Sequence, residues 1–277
     1  MDITELHDEE NMLVQMQDRW ENYGSLDRIA DTHDPFDLAG APRFELSEKI
    51  NSLLNHALNE DENLLQDKPV YIFSSHFHED HFNKAIFEWK NQRENIIYIL
   101  SKDIYKHRRA NKEDADVWLA KGGTWSDETI SVWALGSTDS GVSWIVETEG
   151  KRIFHAGDLN NWYAKFLPDA VPGQQMYSFE MEDVFDPIAH EKQYLGELKD
   201  IRKIADGFDV VMFPIDGRIG NGYTLGGRQF IERFKVGLFV PMHFTTGFES
   251  SWRMKEFTDV KGIPFWEIAR EGETIQI

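Results

Sequence analysis

The sequence contains no cysteine, which removes two common ways of stabilising or arming a protein. Disulfide bonds are excluded, and any bound metal must be held by nitrogen and oxygen donors rather than by thiolates. No apolar run approaches the roughly 20 residues that a bilayer-spanning helix needs. Residues 1–5 also lack the basic and apolar regions of a signal peptide. These absences predict a cytoplasmic protein that does not enter a membrane.

Basic residues are scarce relative to acidic ones. The chain has 29 Lys and Arg against 49 Asp and Glu, which gives a formal net charge of −20. Such a surface repels phosphate backbones, so the sequence argues against a nucleic-acid partner and against nuclease activity. A small anionic substrate stays compatible, because a metal ion and one or two arginines can invert the local potential.

The 277 residues are enough for one large domain or two small ones. Nineteen phenylalanines and nine tryptophans provide material for a substantial hydrophobic core.

The densest chemical signal is the run His-Phe-His-Glu-Asp-His at residues 76–81, which follows a short apolar segment. His76 and His78 alternate, so on an extended backbone both point the same way and can reach one ion. Asp80 and His81 follow just past the turn and can reach a second position, whereas Glu79 is expected to point away. A histidine-rich loop without metal is the alternative, and the spacing argues against it. Imidazole with carboxylate suits zinc, iron or manganese.

The segment at residues 75–82 resembles the signature of the metallo-β-lactamase-fold metal-dependent hydrolase superfamily. Residues 154–158 resemble the family motif whose aspartate bridges two metals, and residues 240–244 resemble its final histidine motif. The resemblance covers about residues 68–277 and is nearest to the branch of L-ascorbate-6-phosphate lactonase-like proteins. It implies an α/β fold of four αββα layers and a catalytic divalent metal. The ligand set it implies is His76, His78, Asp80, His81, Asp158 and His243.

One ligand of that family is missing here. The family usually carries a Gly-His-Thr segment, and this chain has Gly136-Ser137-Thr138-Asp139, with Ser137 in the histidine's place. Neutral serine is a poor zinc ligand compared with imidazole. Asp139 could compensate, directly or through water, but turn chemistry in a Ser/Thr/Asp/Gly loop is an alternative role for it. The sequence therefore predicts a weak or open position at His76 and His78, and one or two bound ions.

Along the chain, residues 67–277 are predicted to form the core and residues 1–66 a helix-rich segment packed on it. The predicted core strands are 70–74, 96–100, 130–135, 142–147, 152–155, 210–214 and 236–240, with a closing hairpin of 265–269 and 274–277. The predicted core helices are 83–90, 113–120, 191–205 and 226–234. An apolar helix face at residues 50–58 needs a partner surface, so the N-terminal segment is expected to cap a sheet edge or to build a homodimer interface.

The predicted function is hydrolysis of a small ester, lactone, amide or phosphoester by a metal-activated water, with zinc as the first choice and manganese or iron as alternatives. Asp80 is the expected catalytic residue, because it can orient the nucleophile as well as bind metal. Substrate contacts are expected from Asn160, Trp162, Arg218 and Tyr223, although loop packing or a surface salt bridge would also explain these residues. A metal-binding sensor or interaction module that has lost turnover is the rival function.

The charge balance leads to a first test. Because the net charge is −20, the protein should show no measurable binding to duplex DNA or RNA at physiological salt. Fluorescence anisotropy with labelled duplexes, titrated at two salt concentrations, measures this directly. Tight binding that weakens steeply with added salt would instead revive a nuclease function.

Overall fold

The computed structural model describes residues 69–91, 94–178, 183–244 and 248–270, together with 273 and 275. The chain divides into two compact units, and the larger one consists of Asp61–Gln174 and Asp186–Ile277. In the described residues, no helix is long and apolar enough to cross a membrane. The predictions for residues 1–66 lie outside the described part, so the helix at 50–58, the capped edge and the homodimer stay predictions.

The larger unit alternates strands and helices. Its strands are β1 (Val70–Ser74), β2 (Ile96–Ser101), β3 (Val117–Leu119), β4 (Thr124–Ser126), β5 (Ile130–Leu135), β6 (Ser143–Thr148), β7 (Lys151–His155), β10 (Gly207–Pro214) and β11 (Lys235–Met242). The smaller unit includes Gln175–Phe185, where β8 (Met176–Ser178) pairs antiparallel with β9 (Asp183–Phe185). Among the described residues, the α-helices are α1 (Lys102–Lys106), α2 (Pro187–Arg202), α3 (Leu225–Ile231), α4 (Phe248–Ser251) and α5 (Arg253–Lys261). Short 3₁₀ segments cover Lys84–Asn91, Lys112–Asp114, Ala164–Asp169 and Gly217–Ile219.

A small parallel sheet carries the histidine motif at its edge. Its order is β1-β2-β3, with Val70 opposite Ile96 and Ile99 opposite Val117. The helix predicted at 113–120 is wrong, because only Lys112–Asp114 forms a helical turn and Val117–Leu119 joins the sheet instead. Pairing with β2 outweighs the acidic, helix-like local pattern, as sheet context commonly does.

A six-stranded sheet collects the other loops of interest at one edge. Its order is β11-β10-β7-β6-β5-β4, with β7, β10 and β11 parallel. Because β6 is antiparallel to both of its neighbours, β5 runs in the same direction as β7. The loops that follow β5, β7, β10 and β11 therefore leave the sheet at the same edge, the carboxyl ends of these strands, where sites in layered α/β folds commonly lie.

The two sheets and their helices stack in the predicted αββα order. Between the sheets, Ile99 and Leu119 of the small sheet pack with Val132 and Trp144 of the large one. On the outer face of the small sheet, the Phe87 ring lies 5.3 Å from the Tyr98 ring. The outer face of the large sheet is covered by α2, α3 and α5, through buried residues that include Phe154, Phe213, Tyr194, Phe230 and Met254.

The first half of the closing hairpin predicted at the C-terminus does not form a strand. Residues 265–269 make a single parallel bridge, Phe239 to Phe265, and no continuous strand. Trp266 and Ile268 nevertheless pack on β10 and β11, against Val210, Leu238 and Val240. The second half, residues 274–277, includes positions outside the described part.

The helix-covered core gives a stability test. Phe230 is fully buried, and its ring lies 4.6 Å from Phe234 and 4.9 Å from Phe154. Phe230→Ala should lower the free energy of unfolding by about 3–5 kcal/mol through lost burial and the cavity left behind. Urea denaturation followed by circular dichroism measures the change. Val260→Ala is the control: Val260 is 83% exposed, so its loss should cost no more than about 0.5 kcal/mol.

Candidate metal centre

Four loops bring histidines and carboxylates to one point. The loop after β1 carries His76, His78, Asp80 and His81, and the loops after β5, β7 and β11 carry Asp139, Asp158 and His243. These residues form three overlapping groups of potential ligands, in each of which one donor atom per residue lies within 4.8 Å of the others. The structure thus gathers every metal-ligand candidate of the sequence analysis into one cluster.

The carboxylate of Asp158 joins the two halves of this cluster. Its Oδ2 lies 3.1 Å from His76 Nε2, and its Oδ1 lies 3.1 Å from His81 Nε2 and 3.5 Å from His243 Nε2. The side chain is buried, and among the described residues Oδ1 has no hydrogen-bond partner of normal geometry. One buried carboxylate therefore faces two separate sets of imidazole nitrogens.

The donor spacing fits divalent metals. Four ligands at zinc–nitrogen and zinc–oxygen distances in a tetrahedron lie about 3.4 Å from one another. Besides the contacts of Asp158, Asp80 Oδ2 lies 3.5 Å from Nε2 of both His81 and His243. His78 Nδ1 lies 2.9 Å from His76 Nε2, a pair that also has hydrogen-bond geometry. All donors are nitrogen or oxygen atoms, so the residues present fit a divalent metal ion.

Electrostatics favour positive charge at this point, whether imidazolium or metal carries it. Burial opposes the charged form of His81, but the nearby carboxylates of Asp158 and Asp80 outweigh it and raise the pKa of His81 to about 9. Burial also acts against a negative Asp158, yet the close imidazoles of His76 and His81 hold its pKa well below the usual range. Partial burial raises the pKa of Asp139, and the negative charge of Asp158 raises it further.

Two serines before the motif set the direction of its rings. Ser75 Oγ lies 3.0 Å from Nδ1 of His76 and 3.2 Å from Nδ1 of His81. With Nδ1 engaged there, Nε2 of each ring faces Asp158. Ser74 Oγ donates to the carbonyl oxygen of His81 at 2.8 Å and closes the loop. Hydrogen bonds of this kind on the far nitrogen orient metal-binding histidines. Neither serine belongs to the ligand pattern predicted from the sequence.

The loop after β5 is held against the motif by its glycine. Gly141 has a φ of +67°, and a Cβ there would lie 2.0 Å from the carbonyl oxygen of Ser75, so both the backbone and the space demand glycine. Next to it, Val142 N donates to the same carbonyl at 3.0 Å. Thr138 Oγ1 donates to the carbonyl of Asn160 at 2.6 Å. The loop is thereby fixed on both sides.

His243 is oriented by a carboxylate that the sequence analysis did not single out. Asp216 is buried, and its Oδ2 lies 2.9 Å from His243 Nδ1. Arg218 donates to both oxygens of Asp216, from Nε at 2.8 Å and from Nη2 at 2.7 Å. Burial opposes protonation of His243, but Asp216 and Asp80 raise the pKa of His243 to about 10. In the sequence, Asp216 follows an apolar strand, as Asp158 does, and this position was the one sign of its role.

The backbone of His243 is unusual. Its φ is +64°, in the left-handed region that residues with a Cβ rarely adopt. Strain of this kind costs on the order of 1–3 kcal/mol and is concentrated at functional sites. Here it falls immediately after the last residue of β11, Met242, at the point where the ring joins the cluster.

The residues expected to contact substrate have different surroundings, and their contacts with substrate stay predictions. Asn160 is fully buried, and its Oδ1 accepts from Asn161 N at 2.8 Å. Trp162 stands beside the cluster, with its ring 5.5 Å from the His243 ring and Nε1 donating to Asp158 O at 2.9 Å. Arg218 forms the salt bridge to Asp216 described above. Tyr223 donates its hydroxyl to Ser250 O at 2.6 Å.

Three other polar residues near the motifs have structural partners. Glu79 accepts from Arg109 Nη2 at 2.7 Å. His155 Nδ1 accepts from Gly157 N at 3.1 Å, and burial lowers the pKa of His155 to about 4, which keeps the ring neutral. His190 Nε2 lies 3.3 Å from Thr138 O, on the loop that carries Asp139.

Comparisons with known proteins find remote structural likenesses. No protein-family profile and no curated protein matches the sequence. A protein from Parabacteroides distasonis described as a candidate metal-dependent hydrolase is similar at 16% identity and a TM-score of 0.46, over 73% of this chain and 77% of that one. YhfI from Bacillus subtilis, a metallo-β-lactamase-fold protein, is similar at 11% identity and a TM-score of 0.44, over 74% and 78%. Zn²⁺-bound PqqB from Methylobacterium extorquens is similar at 13% identity and a TM-score of 0.43, over 75% and 73%. These likenesses are too distant to assign a function to this chain.

The contact between Asp216 and His243 gives a test of the centre. Asp216→Ala removes the acceptor that turns His243 Nε2 toward Asp158, so the affinity for Zn²⁺ should fall about 10–100-fold. Isothermal titration calorimetry on the metal-free protein measures it. Asp209→Ala, which removes a half-exposed carboxylate from β10, the strand that precedes Asp216, is the control and should bind Zn²⁺ as the wild type does. Equal affinities in all three proteins would show that Asp216 does not support the centre.

Proposed function

We propose that this protein is a metal-dependent hydrolase of the metallo-β-lactamase superfamily, in or near the lactonase-like branch, acting on a small ester, lactone, amide or phosphoester. The observation that carries the proposal is the placement of the Asp158 carboxylate between two groups of histidines. One of its oxygens faces His76, and the other faces His81 and His243. A carboxylate placed between two such groups is suited to bridge two divalent ions.

The proposed ligands fall into two positions that share Asp158. His76 and His78 belong to the first, and Asp80, His81 and His243 to the second. When bound, a divalent metal would supply a nucleophile by lowering the pKa of a coordinated water from about 16 toward about 7, and it would polarise the carbonyl or phosphoryl oxygen of the substrate. Zinc is proposed as the usual occupant, because both positions contain imidazole.

The protein's own part in the reaction falls to residues at the open side of the cluster. The Asp80 side chain is 60% exposed and lies 3.5 Å from the two histidines of the second position. We expect it to orient a water molecule and to accept a proton from it, a contribution of about 10²–10⁴ in rate for a positioned general base. The half-buried Trp162 ring stands beside His243 and provides an apolar wall against which a substrate can pack.

The proposed partner is a small molecule. The net charge of −20 repels polyanions, and the carboxylates at the cluster add to that repulsion unless cations neutralise them. Proposed substrates are therefore compact, with one scissile carbonyl or phosphoryl centre that reaches the cluster. Cytoplasmic location stays part of this proposal.

The test compares metal-free and reconstituted protein against a panel of small esters, lactones, amides and phosphoesters. Chelator treatment should abolish hydrolysis, and Zn²⁺ or Mn²⁺ should restore it. A protein that binds metal stoichiometrically but hydrolyses nothing in the panel would favour the sensor or interaction function. A protein that contains no transition metal after reconstitution, and whose melting temperature ignores chelator, would contradict the metal centre itself.

The role of Asp80 can be separated from metal retention. At saturating metal, Asp80→Asn should lower kcat by about 10²-fold or more, because the amide cannot accept the proton. Glu79→Gln is the matched control: it changes the neighbouring carboxylate, which pairs with Arg109, and should leave kcat near the wild-type value. Wild-type kcat in Asp80→Asn with full metal content would remove Asp80 from the catalytic step.

A further inference from the structure

Asp139 occupies an unassigned place in the cluster. Its Oδ2 lies 3.8 Å from His78 Nδ1, and it belongs to the group of His76, His78, Asp139 and Asp158 whose donor atoms all lie within 4.8 Å. The other three members of that group form the first proposed position. A four-coordinate divalent ion needs a fourth donor there, and Ser137, two residues earlier, provides only a neutral hydroxyl.

Turn chemistry does not account for this side chain. An aspartate that stabilises a turn accepts a backbone N–H two residues on with its carboxylate. Within the described residues, no hydrogen bond to the carboxylate of Asp139 is found, and the bond present at this turn runs from Asp139 N to Ser137 Oγ at 3.4 Å. The carboxylate is half-exposed and directed toward His78.

The neighbours of Asp139 hold its backbone in place. Thr138 is buried and bonds through Oγ1 to both the carbonyl and the N–H of Asn160, at 2.6 and 2.9 Å. Gly141 packs against Ser75 at the start of the histidine motif. The backbone of Asp139 therefore lies between two neighbours that are themselves held by the rest of the centre.

We propose that Asp139 is the fourth ligand of the first position, in place of an imidazole, and that it gives this position a second carboxylate oxygen. This inference rests on the proposed metal centre. Counting Asp158 in both, each position then has two imidazole nitrogens and two carboxylate oxygens. Carboxylate donors suit harder cations such as Mn²⁺, whereas imidazole suits zinc. The first position therefore discriminates less strongly for zinc over manganese than a position with three imidazoles would.

The experiment measures Zn²⁺ and Mn²⁺ binding to full-length metal-free protein by calorimetry, with Mn²⁺ also counted by electron paramagnetic resonance. The wild type should bind two ions of comparable affinity. Asp139→Asn should weaken one of them at least tenfold, since even hydrogen-bond partners of ligands matter that much. Asp139→His should restore two ions and raise the ratio of Zn²⁺ to Mn²⁺ affinity. Asp206→Asn is the matched control. Asp206 is 62% exposed and pairs with Lys235 at the amino-terminal ends of β10 and β11, whereas the cluster lies at their carboxyl ends.

The outcomes separate this inference from the metal centre. Loss of one ion in Asp139→Asn, with Asp206→Asn unchanged and both variants melting as the wild type does, supports it. Two ions of unchanged affinity in Asp139→Asn overturn it and leave the proposed function standing. A zinc-to-manganese ratio that does not rise in Asp139→His overturns the claim about metal preference. Absence of metal binding in the wild type overturns both.

Discussion

A buried carboxylate surrounded by imidazoles is the constraint on which the rest of this centre depends. Isolated in the interior, the charge of Asp158 would be costly, and its two oxygens are instead faced by Nε2 atoms of His76, His81 and His243. The other nitrogen of each ring, Nδ1, has a partner that orients the ring. This partner is Ser75 for His76 and His81, and Asp216 for His243. Asp158 thus lies at the centre of the cluster. The imidazoles contact it directly, and Ser75 and Asp216 hold the imidazoles.

Strand direction explains why distant parts of the sequence can meet there. Because β5, β7, β10 and β11 run the same way in one sheet, the loops after them share an edge without any long excursion of the chain. The histidine motif reaches the same edge from the other sheet, through β1. The sheets fix the positions of the strand ends, and the short loops that follow carry the polar side chains of the cluster. This division of labour is common in layered α/β folds, in which a rigid scaffold positions functional loops.

The sequence predicted the parts of this arrangement that have a strong local signature. Val70–Ser74 is a strand as expected, because a short apolar run ends abruptly in polar residues. The helix Arg253–Lys261 was missed, since only Met254 and Thr258 are buried and its apolar face is weak. Asp216 was missed for a different reason: a lone aspartate after a strand has no meaning until its distance to His243 is known. The buried state of Asn160 likewise depends on packing between loop and helix, which no pattern in its own segment reveals. Nothing tests the ligand assignments themselves, which stay predictions.

The position of the cluster between two sheets has a consequence for the chain as a polymer. Under the proposed function, coordination would tie residue 76 to residue 158 and residue 158 to residue 243, closing two loops of roughly 80 residues each. In the chain-entropy description, a covalent cross-link around a loop of that order restricts the unfolded ensemble by about 4–5 kcal/mol. A protein without a single cysteine would thus possess reversible cross-links between its layers, made of nitrogen–metal and oxygen–metal bonds. Unlike disulfides, such links are indifferent to thiol reductants and respond instead to the concentration of free metal.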